Sequence, residues 1–420
     1  MDCIVVGAGV VGNAIAVALA DQGRHVLLLE RDWSTPDRIV GELMQPGGCA
    51  ALTSLGLEDC LEDIDGIMNK GYVVINGDEH VVVDYPSHKH PNRGIAFHHG
   101  RFISKLRAAS TKHENIETVE ATVTKLIEDD EKIIGVEYLV KSSERTRVFA
   151  PLTIVADGCF SKFRRQVISK QPIVKSHFVG LVLRDCILPK SNFGHVVLAS
   201  PSPILLYQIG TRDTRILVDI PGKMPSSSNG DLKNYLIDFV CPQLPKSVQA
   251  SFLEALKSGE KIRSMPNSWL PPSVNSKLGL LLLGDAMNMR HPLTGGGMTV
   301  GLSDCVHVRN LLKPLNNFED VNLVAKCLER LHWLRKPLSS VINVLAQALY
   351  DLFSAGNNSD FVIPSPWTLI GHFFAVAFYS VFLMVYKNPL MFPVALFRGA
   401  SVLVTACTVI GPVLLSEIVQ

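Results

Sequence analysis

No two cysteines in the 420 residues stand in C-x-x-C spacing, and the nine cysteines are scattered and odd in number. That pattern excludes a disulfide frame and a cysteine zinc site, and it reads as reduced thiols in a cytosol-facing chain. Charge of one sign is lacking as well. With 40 Lys plus Arg against 39 Asp plus Glu, neither a nucleic-acid groove nor a polybasic membrane patch is expected. The first residues, MDCIVVGAGVVG, have no basic stretch before the apolar run, which argues against a signal peptide. Internal repeats and low-complexity segments are absent, and neither Ser/His/Asp spacing nor a paired-carboxylate motif stands out. His98 and His99 look like a metal pair but lack further ligands, so they read as structural and no metal is expected. What the chain has in excess is apolar side chain. Its mean hydropathy of +0.23 is high for a soluble enzyme, and the excess lies in the last sixty residues.

A chain of this length is expected to form two or three domains. CIVV (3–6) is followed by Gly7, Gly9 and Gly12, then by NAIAVALADQG, then by HVLLLE ending at Glu30: strand, glycine turn, helix, strand with an acid at its tip. YVVINGDEHVVVDY (72–85) alternates about Asn76-Gly77 and predicts a β-hairpin. Further strands are expected over 116–140, with a buried strand at LTIVADG (152–158). A strand series without helices over 173–222 suggests a second, sheet-based domain. The α/β character returns at LGLLLLGDA, and residues 320–355 read as helical up to the break at GNNSD (356–360).

Three motifs carry chemistry. In G-x-G-x-x-G, Gly7 permits the tight turn, Gly9 lets backbone amides approach a pyrophosphate, and Gly12 lets helix pack on strand. The helix then offers its positive end to the phosphates, and Glu30 can accept from both ribose hydroxyls. This motif alone leaves NAD and FAD both open. The second, TIVADGCFSKFRR, sets Asp157 and Gly158 at a strand end with Arg164 one turn into the next helix; alone, Asp157 reads equally well as a helix N-cap. The third, GLLLLGDAMNMRHPLTGGGM, sets Gly284 and Asp285 at another strand end, ahead of Gly295, Gly296 and Gly297.

In that order the three motifs resemble the flavoprotein monooxygenases of the para-hydroxybenzoate hydroxylase type. There the counterpart of Asp285 holds the ribityl chain of FAD, and the Asp-Gly motif lines a groove shared by FAD and NADPH. Longer stretches are similar to the squalene monooxygenase (squalene epoxidase) family: VGELMQPGG (40–48), AFHHGRFISKLR (96–107), SMPNSWLPP (264–272), RHPLTGGGMTV (290–300), LAQALYDLFSA (345–355) and IGHFFAVAFYS (370–380). They are spread over nearly the whole chain.

The resemblance implies an α/β fold: a Rossmann-like FAD-binding domain (1–71, 96–165 and 275–318), an inserted antiparallel β-sheet substrate domain (72–95 and 166–274), a helical segment (319–360), and a C-terminal membrane-associated helical hairpin (361–420). It places Val10 and Val11 in the phosphate turn and Glu30 with Arg31 at the adenosine ribose. Arg38 and Leu43 fall along the flavin, Arg101 becomes an FAD-contacting arginine, and Val123 a backbone contact to adenine. Asp285 and Met298 contact the flavin, while Tyr72 and Gln45 stand beside the reacting centre. Without the resemblance Arg101 would be a surface ion pair and Tyr72 an aromatic filling the seam between domains. The glycine run becomes a turn where no side chain blocks the backbone, so that helix amides beginning near Met298 approach the flavin and stabilise negative charge on it.

The implied activity is epoxidation of squalene with O2 on FAD, with electrons from NADPH delivered by a separate cytochrome reductase; no second G-x-G-x-x-G is present for a nicotinamide cofactor. The site must exclude water and aim one terminal alkene. Residues 361–386 and 399–416 contain no Asp, Glu, Lys or Arg, and about 20 apolar residues can span a bilayer. The apolar connector KNPLMFPVALFR favours instead a monotopic hairpin dipping into one leaflet of the endoplasmic reticulum membrane, with the catalytic domain facing the cytosol. Bringing a thirty-carbon polyene into water would cost on the order of 20 kcal/mol, so the substrate is expected to enter from membrane lipid. Two departures from the family pattern stand out: the chain starts at its first strand, and residues 356–371 are short where the family has a longer helical segment lining the pocket. Phe353 and His372 flank that gap as pocket candidates. The competing reading is a flavin-binding membrane paralogue with lost or altered epoxidase activity.

Overall fold

In a computed structural model of the protein, residues 1–85, 93–140 and 145–353 are described; His372 and the expected C-terminal hairpin lie outside them, as does the side chain of Phe353. Among the described residues no helix is long and apolar enough to cross a membrane. The helices are α1 (Val10–Ala20), α2 (Pro46–Ser54), α3 (His99–Lys112), α4 (Asp231–Tyr235), α5 (Lys246–Lys257), α6 (Gly297–Leu312) and α7 (Val321–Phe353).

One seven-stranded sheet runs in the order Arg145–Phe149, Lys132–Val140, Ile116–Asp129, Val26–Glu30, Cys3–Val6, Leu152–Val155, Leu280–Leu282. Cys3–Val6 is buried along its whole length, as expected of a short apolar run covered on both faces of a parallel sheet. It pairs in parallel with Val26–Glu30 and with Leu152–Val155, which pairs in parallel with Leu280–Leu282. The registers set Val6, Leu29, Val155 and Leu282 side by side. Consequently Gly7, Glu30, Asp157 and Asp285 emerge along one edge, the carboxyl end where α/β sheets bind ligands.

The second sheet has the order Arg263–Trp269, Ile173–Arg184, Asp213–Pro221, Ile204–Gln208, Gly194–Val197, Gly71–Asn76, Glu79–Asp84. The hairpin about Asn76-Gly77 is present, with Gly71–Asn76 antiparallel to Glu79–Asp84. The sheet is not purely antiparallel, however: Gly194–Val197 runs parallel to Gly71–Asn76. These two strands are far apart in sequence, and a long connection leaves direction free where a tight turn would fix it. Strand Asp213–Pro221 is buried on both faces. Its even-numbered residues Ile216, Val218 and Ile220 pack with α4 and α5, while Leu217 joins Ile39, Leu43, Phe178, Leu205, Leu293 and Tyr350 in the core between the sheets. A third, three-stranded sheet (Leu43–Met44, Gly94–Ala96, Ile67–Asn69) bridges the two.

Two buried histidines make the fold sensitive to acid. Burial pushes His195 down to about 4 and His99 likewise to about 4, from 6.5. Because the folded values lie below the unfolded one, the unfolded chain binds more protons between these limits, and stability is lost as pH falls from 6.5 towards 4. Unfolding free energy is expected to drop by about 1.4 kcal/mol per pH unit for each histidine in that window. His195→Gln should flatten the slope in denaturant titrations across that range; an unchanged slope would remove His195 from this account.

Candidate active site

The aligned strand ends open on a cavity of 520 Å³ lined by residues of both sheets. At its floor, Gly7 has φ +102°, and a Cβ there would stand 2.7 Å from the Ala156 carbonyl oxygen. A Cβ on Gly12 would stand 1.7 Å from the Gly7 carbonyl oxygen, so only glycine lets α1 cross the strand end this closely. At Gly9, in contrast, a Cβ would meet no protein atom within 4 Å; it faces open space in the cavity wall. Glu30 accepts from the Ala8 amide at 2.7 Å and so braces the turn while its carboxylate lines the cavity. A carboxylate has about four acceptor positions, which leaves Glu30 capacity for a ligand hydroxyl.

Two arginines hold this edge together. Arg107 of α3 donates to Ala8 O (3.2 Å), Ser34 O (2.9 Å) and Asp32 O (3.0 Å), joining the glycine turn to the chain beyond Glu30. Arg164 donates to the carbonyls of Ala286, Asp285 and Cys159, each at 2.8 Å, and clamps the Asp-Gly turn to the Gly-Asp turn. It begins a short 3₁₀ turn, Arg164–Gln166, where a longer helix was expected. Asp157 is correspondingly no cap of a regular helix, although its Oδ2 accepts from the Lys162 amide at 3.2 Å. Its Oδ1 is buried without a partner among the described residues.

Asp285 is exposed to the cavity but lies deep in the protein, so burial raises its carboxyl above the usual range, with Arg290, Arg38 and Arg164 opposing. Beyond it, Pro292–Thr294 forms a 3₁₀ turn that ends in Gly295 at φ +61°. A Cβ on Gly296 would meet Ile342 Cγ2 of α7 at 2.5 Å, whereas one on Gly297 would meet nothing within 4 Å. No side chain caps α6, so its first amides are left for a ligand where Gly297 and Met298 line the cavity. A buried pair of Arg335 and Asp304 (2.9 Å) holds α7 on α6.

On the opposite wall, Tyr72 lines the cavity with Gln45 behind it. Gln45 donates to Tyr72 Oη and to the Thr294 carbonyl (2.9 Å), and accepts from Tyr85 Oη through its Oε1. Tyr72 Oη also reaches the Thr294 carbonyl at 3.4 Å. Burial raises the Tyr72 phenol, against the pull of Gln45 and Tyr85, so it stays protonated at neutral pH. Nearby, Arg215 grips Glu42 by two bonds of 2.7 and 2.8 Å in a buried ion pair that ties the second sheet to the chain entering Leu43–Met44.

Of the residues expected at the site, Gly7, Gly9, Val10, Val11, Glu30, Arg31, Arg38, Leu43, Tyr72, Val123, Asp157, Gly158, Asp285, Gly295, Gly297 and Met298 line this one cavity. Gly12, Gln45 and Gly296 stand one layer behind it. Arg101 does not reach it: the phase of α3 turns Arg101 outward, where it pairs with Asp65 at 2.9 Å. The arginine this helix sends to the cavity is Arg107, on the buried face with Phe102, Ile103, Leu106 and Ser110. A charge on the apolar face of that helix was the signal for it. The arrangement fits a flavin dinucleotide on its own evidence. Open space at Gly9 and Gly297, an orphaned Asp157 oxygen, a cavity-facing Asp285 and an uncapped helix start match a ligand that carries phosphates and hydroxyls.

Comparison with known proteins agrees with this geometry. The family model for squalene epoxidase matches residues 149–361, and that for glucose inhibited division protein A matches residues 2–174. The chain is 47% identical to a squalene epoxidase of Aspergillus fumigatus, over 99% of this chain and 93% of that protein. It is 45% identical to squalene epoxidase 1 of Arabidopsis thaliana, over 99% of this chain and 83% of that protein. Among solved structures, p-nitrophenol 4-monooxygenase PnpA of Pseudomonas putida shares the fold with a TM-score of 0.70, over 95% of this chain and 97% of that one, at 17% identity.

Proposed function

The chain belongs to the squalene epoxidase family, and from that premise we propose how its residues carry out the family's reaction. It is an FAD-dependent monooxygenase that epoxidises squalene to 2,3-oxidosqualene. The observation that carries this reading is the convergence of all three motifs on one cavity that Tyr72 also lines, with Gln45 bonded behind it. FAD, when reduced, supplies the activation of O2 and the electrophilic oxygen that the alkene takes up. The turn Gly7–Gly12 would hold its pyrophosphate, Glu30 with Arg31 its adenosine ribose, Arg38 and Leu43 its flavin, Asp285 its hydroxyl chain, and the amides at Gly297 and Met298 its electron-rich edge. Leu43, Leu205, Leu217 and Met265 give the cavity an apolar wall that keeps water from the reacting atoms.

Tyr72 and Gln45 orient the substrate end of the site. Because the phenol remains protonated and is pinned between Gln45 and the Thr294 carbonyl, its role is position and polarity, not proton abstraction. Tyr72→Phe is expected to retain FAD and lower turnover by about two- to tenfold, the effect of one neutral hydrogen bond of about 0.5–1.5 kcal/mol. Unchanged turnover would return Tyr72 to a packing role.

We propose further that electrons come from NADPH through a separate reductase, and that the enzyme resides in the endoplasmic reticulum membrane and takes squalene from lipid. The charge-free runs at 361–386 and 399–416 support the membrane reading. The direct test incubates the full-length protein in membranes with squalene and NADPH, with and without a cytochrome reductase. A squalene mono-oxide that forms only with the reductase supports this reading; bound FAD with no oxide under either condition would overturn it.

A further inference from the structure

Behind the glycine turn lies a buried polar knot that the reaction chemistry does not call for. Asp219, 1% exposed, sits in the strand Asp213–Pro221 of the second sheet. It accepts from Ser176 Oγ, from Ser202 Oγ and from Asn267 Nδ2 (2.9 Å), so three neighbouring segments fix its carboxylate. Buried carboxylates are costly unless their oxygens are satisfied, and this one is held by more donors than sheet pairing needs. Beside these donors stands His291, with Nε2 at 3.4 Å from Asp219 Oδ1 and 3.2 Å from Ser176 Oγ.

His291 belongs to the flavin side. Its Nδ1 accepts the Leu293 amide at 3.3 Å and so caps the 3₁₀ turn Pro292–Thr294. An imidazole that accepts at Nδ1 carries its proton on Nε2, so the N–H points at Asp219 and Ser176. The ring is further fixed by Tyr350 of α7, stacked at 4.0 Å, and by Phe178, edge-on at 5.4 Å. At its other end the same turn presents the Thr294 carbonyl to Gln45 and Tyr72, then passes through Gly295 into the uncapped start of α6. The turn is therefore gripped at its start by the knot and at its end by the pair beside the reacting centre.

We propose that Asp219 and His291 are positioning residues for the epoxidation: through the 292–294 turn they set the Thr294 carbonyl and the first amides of α6, and hence the relation of Tyr72 to the flavin. This rests on the flavin site argued above and deepens it. Asp219 and His291 touch neither cofactor nor substrate in this role. A three-residue 3₁₀ turn has too few bonds of its own to stay fixed, and glycine follows it on one side. Loss of the tether should leave the sheets folded and the turn loose.

Two full-length variants test this. Asp219→Asn keeps the shape and removes the charge that aligns His291. His291→Asn keeps a side chain able to cap Leu293 but is too short to reach Asp219. Both are expected to bind FAD stoichiometrically, to lose about tenfold in kcat with KM for squalene within about twofold, and to oxidise more NADPH per epoxide formed. Amide hydrogen exchange in flavin-free protein should quicken at least tenfold over residues 293–298, with Ile173–Arg184 and Asp213–Pro221 as protected as in the parent. The exchange measurement needs neither cofactor nor substrate, so it can fail independently of the epoxidase reading. Unchanged exchange over 293–298 would overturn the proposal. So would equal loss of protection in the two strands, because Asp219 would then be a stabiliser of the sheet alone. If Asp219→Asn does not fold, His291→Asn decides on the same outcomes, and a normal kcat and coupling ratio in that variant would also refute the idea.

Discussion

Asp285→Ala should give a folded protein that purifies without flavin. The carboxylate faces the cavity, and its backbone is already held by Arg164, which donates to the Asp285 carbonyl and not to the side chain. Truncation therefore leaves the two turns clamped. It also removes a carboxylate that burial disfavours, so the flavin-free melting temperature should hold or rise. What would be lost is the proposed charge-assisted bond to the cofactor's hydroxyl chain, about 1.5–3 kcal/mol, or roughly ten- to a hundredfold in affinity. Gel filtration should strip the variant of FAD while the parent stays yellow, and Asp285→Asn should fall between them. A variant that retains full flavin would contradict the assignment.

The second large effect separates the fold from the ligand at a single turn. Gly12→Ala places a Cβ 1.7 Å from the Gly7 carbonyl oxygen, a backbone atom that cannot swing aside. α1 must lift from the strand, and Gly301, whose Cβ would already lie 2.6 Å from Val11 Cγ2, leaves little room for it to go. The loss is expected at about 3 kcal/mol or more, at the upper end for overpacking, and flavin binding goes with it. Gly9→Ala is the counterpart. No protein atom lies within 4 Å of its Cβ and its φ is −85°, so the flavin-free protein should melt within a degree or two of the parent. Flavin binding should still fail, because the methyl group would stand where the proposed pyrophosphate site brings its phosphates to the amides. Equal melting temperatures for the two variants would contradict the reading of Gly12, and full flavin in Gly9→Ala would contradict that of Gly9.

Where signals are local, the sequence anticipates the structure closely. The glycine fingerprint, the Asp-Gly and Gly-Asp turns and the Asn76-Gly77 hairpin each depend on a few adjacent residues, and each stands where expected. Parallel pairing then brings the three motifs together, because Val6, Val155 and Leu282 share one register. Non-local choices were not legible. The parallel pairing of Gly194–Val197 with Gly71–Asn76 depends on a long connection, and the Arg215–Glu42 pair joins residues 173 positions apart.

Two misses were recoverable in principle. Helical phase over α3 separates outward Arg101 from inward Arg107. Alternation in Asp213–Pro221 puts Asp213, Arg215, Leu217 and Asp219 on one face and Thr214, Ile216, Val218 and Ile220 on the other, so three charged residues share a buried face. Charges that recur on a covered face need partners, and those partners are Arg184 and His98 for Asp213, Glu42 for Arg215, and the His291 knot for Asp219. This face of the second sheet carries the contacts that align it with the flavin side.

The central claim is that this cavity places one atom of O2 on squalene. The measurement that tests it most directly supplies the full-length, FAD-loaded protein in membranes with reductase, NADPH and squalene under an atmosphere of ¹⁸O2, and reads the product by mass spectrometry. The account predicts 2,3-oxidosqualene carrying a single ¹⁸O atom, lost in Asp285→Ala and diminished in Tyr72→Phe. A flavin-loaded protein that consumes NADPH yet yields no labelled oxidosqualene would contradict it.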